Sequence, residues 1–211
     1  MINLNFVNRR TFSIRDEIPN SQPEWKRAFR EAIEFWNDPE LCLNFNISIV
    51  SGSGDSRIII DEPGVFRSAI TVADALPPIG GSVGSRIRIN YRNFGASDTS
   101  AEGRFNVLVH EIGHTLGLGH NRLSENNNPV NHIVGTPLDA DDSSIMNFSS
   151  IVDTSNRYTI LPNDLIAFRA VFGSESIEDL HYELDSSSNR IVPIKDGDNV
   201  CLLYTSPSPR D

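Results

Sequence analysis

Two cysteines in 211 residues, Cys42 and Cys201, are too few and too far apart to staple a fold, so stability has to come from a packed core rather than a disulfide framework. Cationic side chains are also scarce: 18 Lys and Arg stand against 28 Asp and Glu, for a net charge of −10. That balance excludes nucleic acid as a partner, because phosphate backbones require clustered Lys and Arg. No apolar run approaches the ~18 residues of a membrane span. The segment from Met1 to Arg10 lacks a long apolar stretch followed by small residues, so it does not read as a secretory signal. A cytosolic protein, or a chain that begins downstream of a leader, fits equally. What remains, 38% apolar and 22% charged residues, suits a folded domain with at most a short appendage.

Periodicity supplies the elements. A β-prone run at 11–14 ends in the breaker Ile18-Pro19-Asn20. Ser21-Gln22-Pro23-Glu24 has the form of a capping box, and Trp25, Ala28, Phe29, Ala32, Ile33 and Trp36 then mark one helical face running to about Asn37. Leu43, Phe45, Ile47 and Ile49 alternate with polar residues, as in a half-buried strand. Further strands are expected at 57–60, 69–73 and 87–91, with the glycines of 80–84 turning the chain between the last two. Thr99-Ser100-Ala101-Glu102 has the form of a second capping box before a buried helix carrying Phe105, Val107, Leu108, Ile112 and Leu116. Residues 121–144 read as a long polar loop, and loops of that length are usually functional or metal-tied. A closing helix is expected over 164–172, packing through Leu165, Ile166, Ala170, Val171 and Phe172 and stopped by Gly173. The sum is an α+β domain. Residues 174–199 read as a linker or truncated extension. The end, from Cys201 to Asp211, resembles a translated sequencing-adapter read-through, so residues 200–211 are expected to be an artefact and Cys201 drops out of any pairing.

The chemistry is concentrated in His110-Glu111-Ile112-Gly113-His114-Thr115-Leu116-Gly117-Leu118-Gly119-His120. Residues four apart on a helix share a face, so the imidazoles of His110 and His114 can reach one ion. Gly117, lacking a Cβ, can end the helix sharply and bring His120 back to the same metal. Zinc takes imidazole nitrogen at about 2.0–2.1 Å and keeps a position open for water in catalytic sites. Glu111 is then placed to take the proton of that water as general base during attack on a peptide carbonyl. A lone helical histidine is more often a core or surface imidazole. Three at these offsets beside a glutamate arise by chance in something on the order of one in ten thousand chains or fewer.

The string resembles the metzincin motif H-E-x-x-H-x-x-G-x-x-H, which is followed by a methionine turn beneath the metal-binding imidazoles. Ser144-Ile145-Met146-Asn147 stands where that turn belongs, and Met146 is the only methionine besides Met1. Through His110-Glu111-Ile112-Gly113-His114, Val134-Gly135-Thr136-Pro137, Ser144-Ile145-Met146-Asn147 and the glycines of 80–84, the chain most resembles the dual-action HEIGH metallopeptidase family; its zinc string and closing helix are also similar to those of matrixins. The resemblance covers about residues 11–173. It implies a metzincin-type catalytic domain over 1–173, with a twisted mixed sheet and two long helices in an upper lobe and a small lower lobe ending in a helix. It also implies zinc at the floor of a cleft, an extended polypeptide substrate lying along the 69–73 strand, secretion, and a monomer. Astacins and serralysins carry a tyrosine two residues after the turn methionine; Phe148 stands there instead, which removes tyrosine assistance. No cysteine-switch prosegment is visible.

The remaining candidates have plainer explanations. His132 reads as a solvated loop histidine, and His181 receives no role. Asp139, Asp141 and Asp142 offer carboxylates of the kind calcium favours, but their spacing fits a solvated acidic turn better. Residues 126–129 read as a turn, and Trp25 and Trp36 as core. The expected activity is that of a zinc endopeptidase. A degenerate binding or adhesion module that keeps zinc for structure, and a metal-dependent hydrolase of a non-peptide substrate, stay open.

Overall fold

The computed structural model describes residues 7–60, 71–92, 99–120, 144–147, 156–172, 182–185 and 190–193. Strand β1 (Thr11–Asp16) turns Phe12 and Ile14 into the core and lies second in the ladder β2 (Asn46–Val50), β1, β3 (Ser56–Ile60), β5 (Ile87–Ile89) and β4 (Ala73–Ala75), with β3 at its centre. The pairs β1–β2, β1–β3 and β3–β5 are parallel, and only the edge strand β4 runs antiparallel, against β5. Parallel neighbours need a crossover, and helix α1 (Pro23–Trp36) supplies it between β1 and β2.

The anticipated apolar face of α1 is what buries: Trp25, Ala28, Phe29, Ala32, Ile33 and Trp36 are all inside. Its start differs from expectation. Gln22, not Ser21, is the N-cap, and it makes no side-chain capping bond. Pro23 opens the helix with a preset φ and no N–H to satisfy, so the capping box stands one residue out of step. A cap contributes about 1 kcal/mol, whereas each large apolar side chain buried contributes about 1.5–3 kcal/mol; packing therefore holds α1. At its other end, Asn37 covers the edge of β2 by donating from Nδ2 to the Ile47 carbonyl (2.8 Å) and accepting from the Ile47 N–H at Oδ1 (2.7 Å).

Two strands are displaced from their expected places. The second begins at Asn46 rather than Leu43, because Asn44 has φ 56° and a left-handed residue cannot continue a ladder. Ile49 is exposed there, as an edge position allows. The fourth strand occupies Ala73–Ala75 instead of 69–73, of which 69 and 70 lie outside the described residues. Its register is pinned by Asp74 facing Arg88, a cross-strand pair whose guanidinium clasps the carboxylate through both Nε and Nη2. The glycine turn between β4 and β5 forms as expected, with a bridge from Ile79 to Ser82 around Gly80 and Gly81.

Helix α2 (Ala101–Leu116) packs against α1 and is buried almost all round from Gly103 to Gly113. Ser100 caps it, accepting from the Gly103 N–H (2.8 Å); Thr99 does not, so Glu102 falls one place short of completing a box. Helix α3 (Pro162–Phe172) closes the fold through Leu165, Phe168 and Phe172, with Ile166 and Val171 only half-buried. Phe168 was missing from the expected packing set; it lies 4.9 Å from the Trp36 ring, centroid to centroid. A separate antiparallel ribbon, β6 (Tyr182–Asp185) with β7 (Arg190–Pro193), forms within the stretch read as a linker. The five-stranded mixed sheet and the three α-helices among the described residues are consistent with a metzincin-like α+β domain. No helix among the described residues is long and apolar enough to cross a membrane.

Candidate metal centre

The site is assembled at the end of α2. Gly117 adopts φ 111°, a backbone conformation that side chains other than hydrogen resist. Its N–H donates to the His114 carbonyl (3.0 Å), and the Leu118 N–H reaches back to the Gly113 carbonyl (3.0 Å). This Schellman-type pair ends the helix and reverses the chain. Leu118 is buried and anchors the reversal, which returns His120 to the face carrying His110 and His114.

The three rings converge. Nε2 of His120 lies 3.2 Å from Nε2 of His110 and 3.1 Å from Nε2 of His114, and the three residues together form a group able to hold a metal ion. Imidazole nitrogens placed tetrahedrally about zinc at about 2.0–2.1 Å stand roughly 3.3–3.4 Å apart. The donor set fits such an ion for a second reason. Nδ1 of His110 faces the Ile145 carbonyl (2.6 Å) and Nδ1 of His114 faces the Leu118 carbonyl (2.7 Å). A carbonyl only accepts, so both Nδ1 atoms carry hydrogen and both Nε2 atoms present lone pairs. One proton on His120 satisfies one of them at most; a cation satisfies all three. Burial disfavours protonation of the two helical rings. Burial pushes His110 well below the usual imidazole value, with His114 and His120 adding to it against the Ile145 hydrogen bond. Burial likewise lowers His114 to about 4, the Leu118 hydrogen bond opposing and His120 assisting.

Glu111 points away from solvent. Burial, and secondarily the charge of Asp74, push its carboxyl up to about 8. Its Oε2 has no hydrogen-bond partner among the described residues. A buried carboxyl with an unused oxygen needs a polar occupant, such as a water or substrate group, in the space it faces.

Beneath the helix, Ser144 to Asn147 form a tight turn in which the Asn147 N–H donates to the Ser144 carbonyl (3.0 Å). Met146 is buried. A Cβ added at Gly113 would lie 2.8 Å from the Met146 sulfur, so the glycine between the two helical histidines makes room for the thioether. Three residues of this region escaped sequence reasoning: Ile145, whose carbonyl holds His110, and Tyr158 and Asp164, which hold the turn. Only the turn's Ser-Ile-Met-Asn string hinted at them. His132, Phe148, His181, Asp139, Asp141 and Asp142 lie outside the described residues, and nothing supports calcium.

Fold and donor set together define an α+β protein with a buried glutamate beside three histidines able to hold a metal ion. Over residues 5–172 the chain matches the model of the Dual-action HEIGH metallo-peptidase family, and it belongs to that family. It is thus one of the metallopeptidases, a class whose substrates are polypeptides. No curated protein matches it.

Proposed function

We propose that this chain is a zinc endopeptidase in which His110, His114 and His120 hold the metal and Glu111 is the general base. The observation that carries the reading is that Nε2 of His120 lies within about a tetrahedral edge of Nε2 of both His110 and His114, the latter two locked as lone-pair donors by backbone carbonyls. When bound, zinc supplies Lewis acidity, lowering the pKa of water and polarising the scissile carbonyl. A cation held by the three histidines would favour the carboxylate form of Glu111 against the burial that raises its pKa. Glu111 then accepts the proton of the attacking water and returns it to the departing amide nitrogen. Met146 packs against Gly113, the glycine between the two helical histidines.

The substrate backbone pairs with the outer edge of β4, the last strand of the sheet order. Addition of an extended peptide there supports internal rather than terminal cleavage, since pairing to a sheet edge needs main chain on both sides of the scissile bond. The catalytic unit falls within residues 1–173, a placement supported by the family match to 5–172.

Glu111→Gln tests the reading. The variant should keep one zinc and lose on the order of 10²–10⁴ of the hydrolysis of casein or quenched peptides. A chelator should abolish wild-type cleavage and added zinc restore it. Full activity in Glu111→Gln removes the glutamate from its role. Wild-type zinc binding with no turnover selects the binding-module alternative.

A further inference from the structure

The closing segment of the described domain is tied to α2 by a closed circuit of buried and half-buried polar contacts. Asp164, at the start of α3, accepts from the Ser144 hydroxyl at Oδ1 (2.6 Å) and from the Ile145 N–H at Oδ2 (2.9 Å). The Tyr158 hydroxyl donates to that same Oδ2. The backbone N–H of Tyr158 donates to Oδ1 of Asn106 (2.8 Å), whose Nδ2 donates to the Asn156 carbonyl (3.2 Å). Asn106 lies one helical turn before His110 on α2, so the two share a face. The carbonyl of Ile145, the residue whose N–H is held by Asp164, accepts from Nδ1 of His110. The path therefore leaves α2 at Asn106 and returns to it at His110.

We propose that Tyr158 and Asp164 are positioning residues for the metal centre: by fixing the turn at Ile145 they orient the His110 ring so that its Nε2 faces His114 and His120. The inference rests on the reading of the three histidines as metal ligands. Three features carry it. Asp164 is buried, and a buried carboxylate receiving charge-assisted hydrogen bonds is held far more firmly than a neutral acceptor. The contact to His110 is made by a backbone carbonyl, so the turn must be positioned as a whole, and its side chains alone cannot do it. Finally, the other helical ligand needs no such device, because the Leu118 carbonyl that holds His114 belongs to the same helix end. Tyr158 and Asp164 act on His110 through the Ile145 carbonyl.

The clean probe is Tyr158→Phe. It deletes only the hydroxyl and keeps the ring that packs edge-on against Phe35, 5.8 Å between centroids. Asp164→Asn is the second variant, and Ile47→Val, a truncation in the far edge strand β2, controls for general loosening of the core. Full-length proteins are titrated with zinc against a competing chelator dye, and the visible spectrum of each is recorded with cobalt in place of zinc. Removal of an outer partner of a metal ligand typically weakens binding 10–100-fold. Tyr158→Phe and Asp164→Asn should bind zinc about tenfold or more weakly and show shifted cobalt bands, with Ile47→Val like wild type. At saturating zinc, kcat should fall in the two variants with KM unchanged. Wild-type affinity and an unaltered cobalt spectrum in Tyr158→Phe overturn the proposal, as does an equal loss in Ile47→Val. A wild-type chain that takes up no zinc overturns the underlying metal reading instead. One that binds zinc without cleaving overturns the peptidase reading and leaves the affinity comparison to decide the circuit.

Discussion

The two helical histidines are held in opposite ways. Nδ1 of His114 is engaged by the Leu118 carbonyl, four residues on and inside the same helix-ending turn. Nδ1 of His110 is engaged by the Ile145 carbonyl, 35 residues away, on a turn fastened in its own right by Asp164 and Tyr158. One side of the centre is built by local backbone geometry, the other by tertiary contact. The difference implies that the two sides fail differently: the local side through backbone strain, the distant side through loss of buried polar partners.

The largest expected effect falls on the distant side. Asp164→Ala removes the buried acceptor shared by the Ser144 hydroxyl, the Ile145 N–H and the Tyr158 hydroxyl, and leaving a buried donor unsatisfied costs about 1–3 kcal/mol each. Urea unfolding should show that loss together with weakened metal uptake; a cost below about 1 kcal/mol would mean that Asp164 is not the fastening point. On the local side, Gly117→Ala keeps every contact but places a Cβ on a residue at φ 111°. That should cost about 1–2 kcal/mol, and it should impair zinc binding through His114 and His120 while the Ser144–Asn147 turn stays intact. Equal damage to the turn in that variant would dissolve the contrast between the sides.

A smaller, pH-dependent effect distinguishes Glu111 from His114 in metal-free protein. The Glu111 carboxyl holds its proton up to about 8, against an ordinary value of 4.5. The unfolded chain releases that proton first, so this group's contribution falls as pH rises from 4.5 towards 8. His114, lowered to about 4 from 6.5, has the opposite sense: the unfolded chain takes up the proton first, and stability is lost as pH falls from 6.5 towards 4. Among the described residues with shifted values, the glutamate alone acts between 6.5 and 8, and its contribution should decline by up to about 1.4 kcal/mol per pH unit. Denaturation of the chelated protein should show this slope, and Glu111→Gln should flatten it. An equal slope in both proteins would contradict the assignment. The smallest effect lies at the surface. Asp55, lowered chiefly by its hydrogen bond to Arg9 and then by the Ser13 N–H, contributes stability above its unfolded value that is lost as pH falls through the folded one. With its exposure, Asp55→Asn should cost no more than about 0.5–1 kcal/mol, read as a shift in the urea midpoint at neutral pH.

The same division between local and distant explains what was legible beforehand. The helices α1 and α2, the return of His120 at Gly117, and the glycine turn at 80–81 depend on spacing within a few residues, and all could be read from the chain. The strand at Ala73–Ala75 could not. Three residues reading Ala-Asp-Ala have no period to detect, and their place depends on Arg88, fourteen residues beyond Asp74. Capping also slipped by a residue at both long helices, because a proline or a neighbouring serine changes which backbone group lies in reach. Asp164 looked like an ordinary acidic residue in a first helical turn; its bonds to Ser144 and Ile145 exist only once α3 has docked. Gly113 looked like part of a motif, and only the thioether beneath it gives its absent Cβ a reason.

The central claim is that one ion is shared by three imidazoles. Zinc-edge X-ray absorption on the purified full-length chain tests it most directly. The account predicts three imidazole nitrogens at about 2.0–2.1 Å with one further oxygen. Two imidazoles or fewer, or a sulfur ligand in the first coordination sphere, would contradict it.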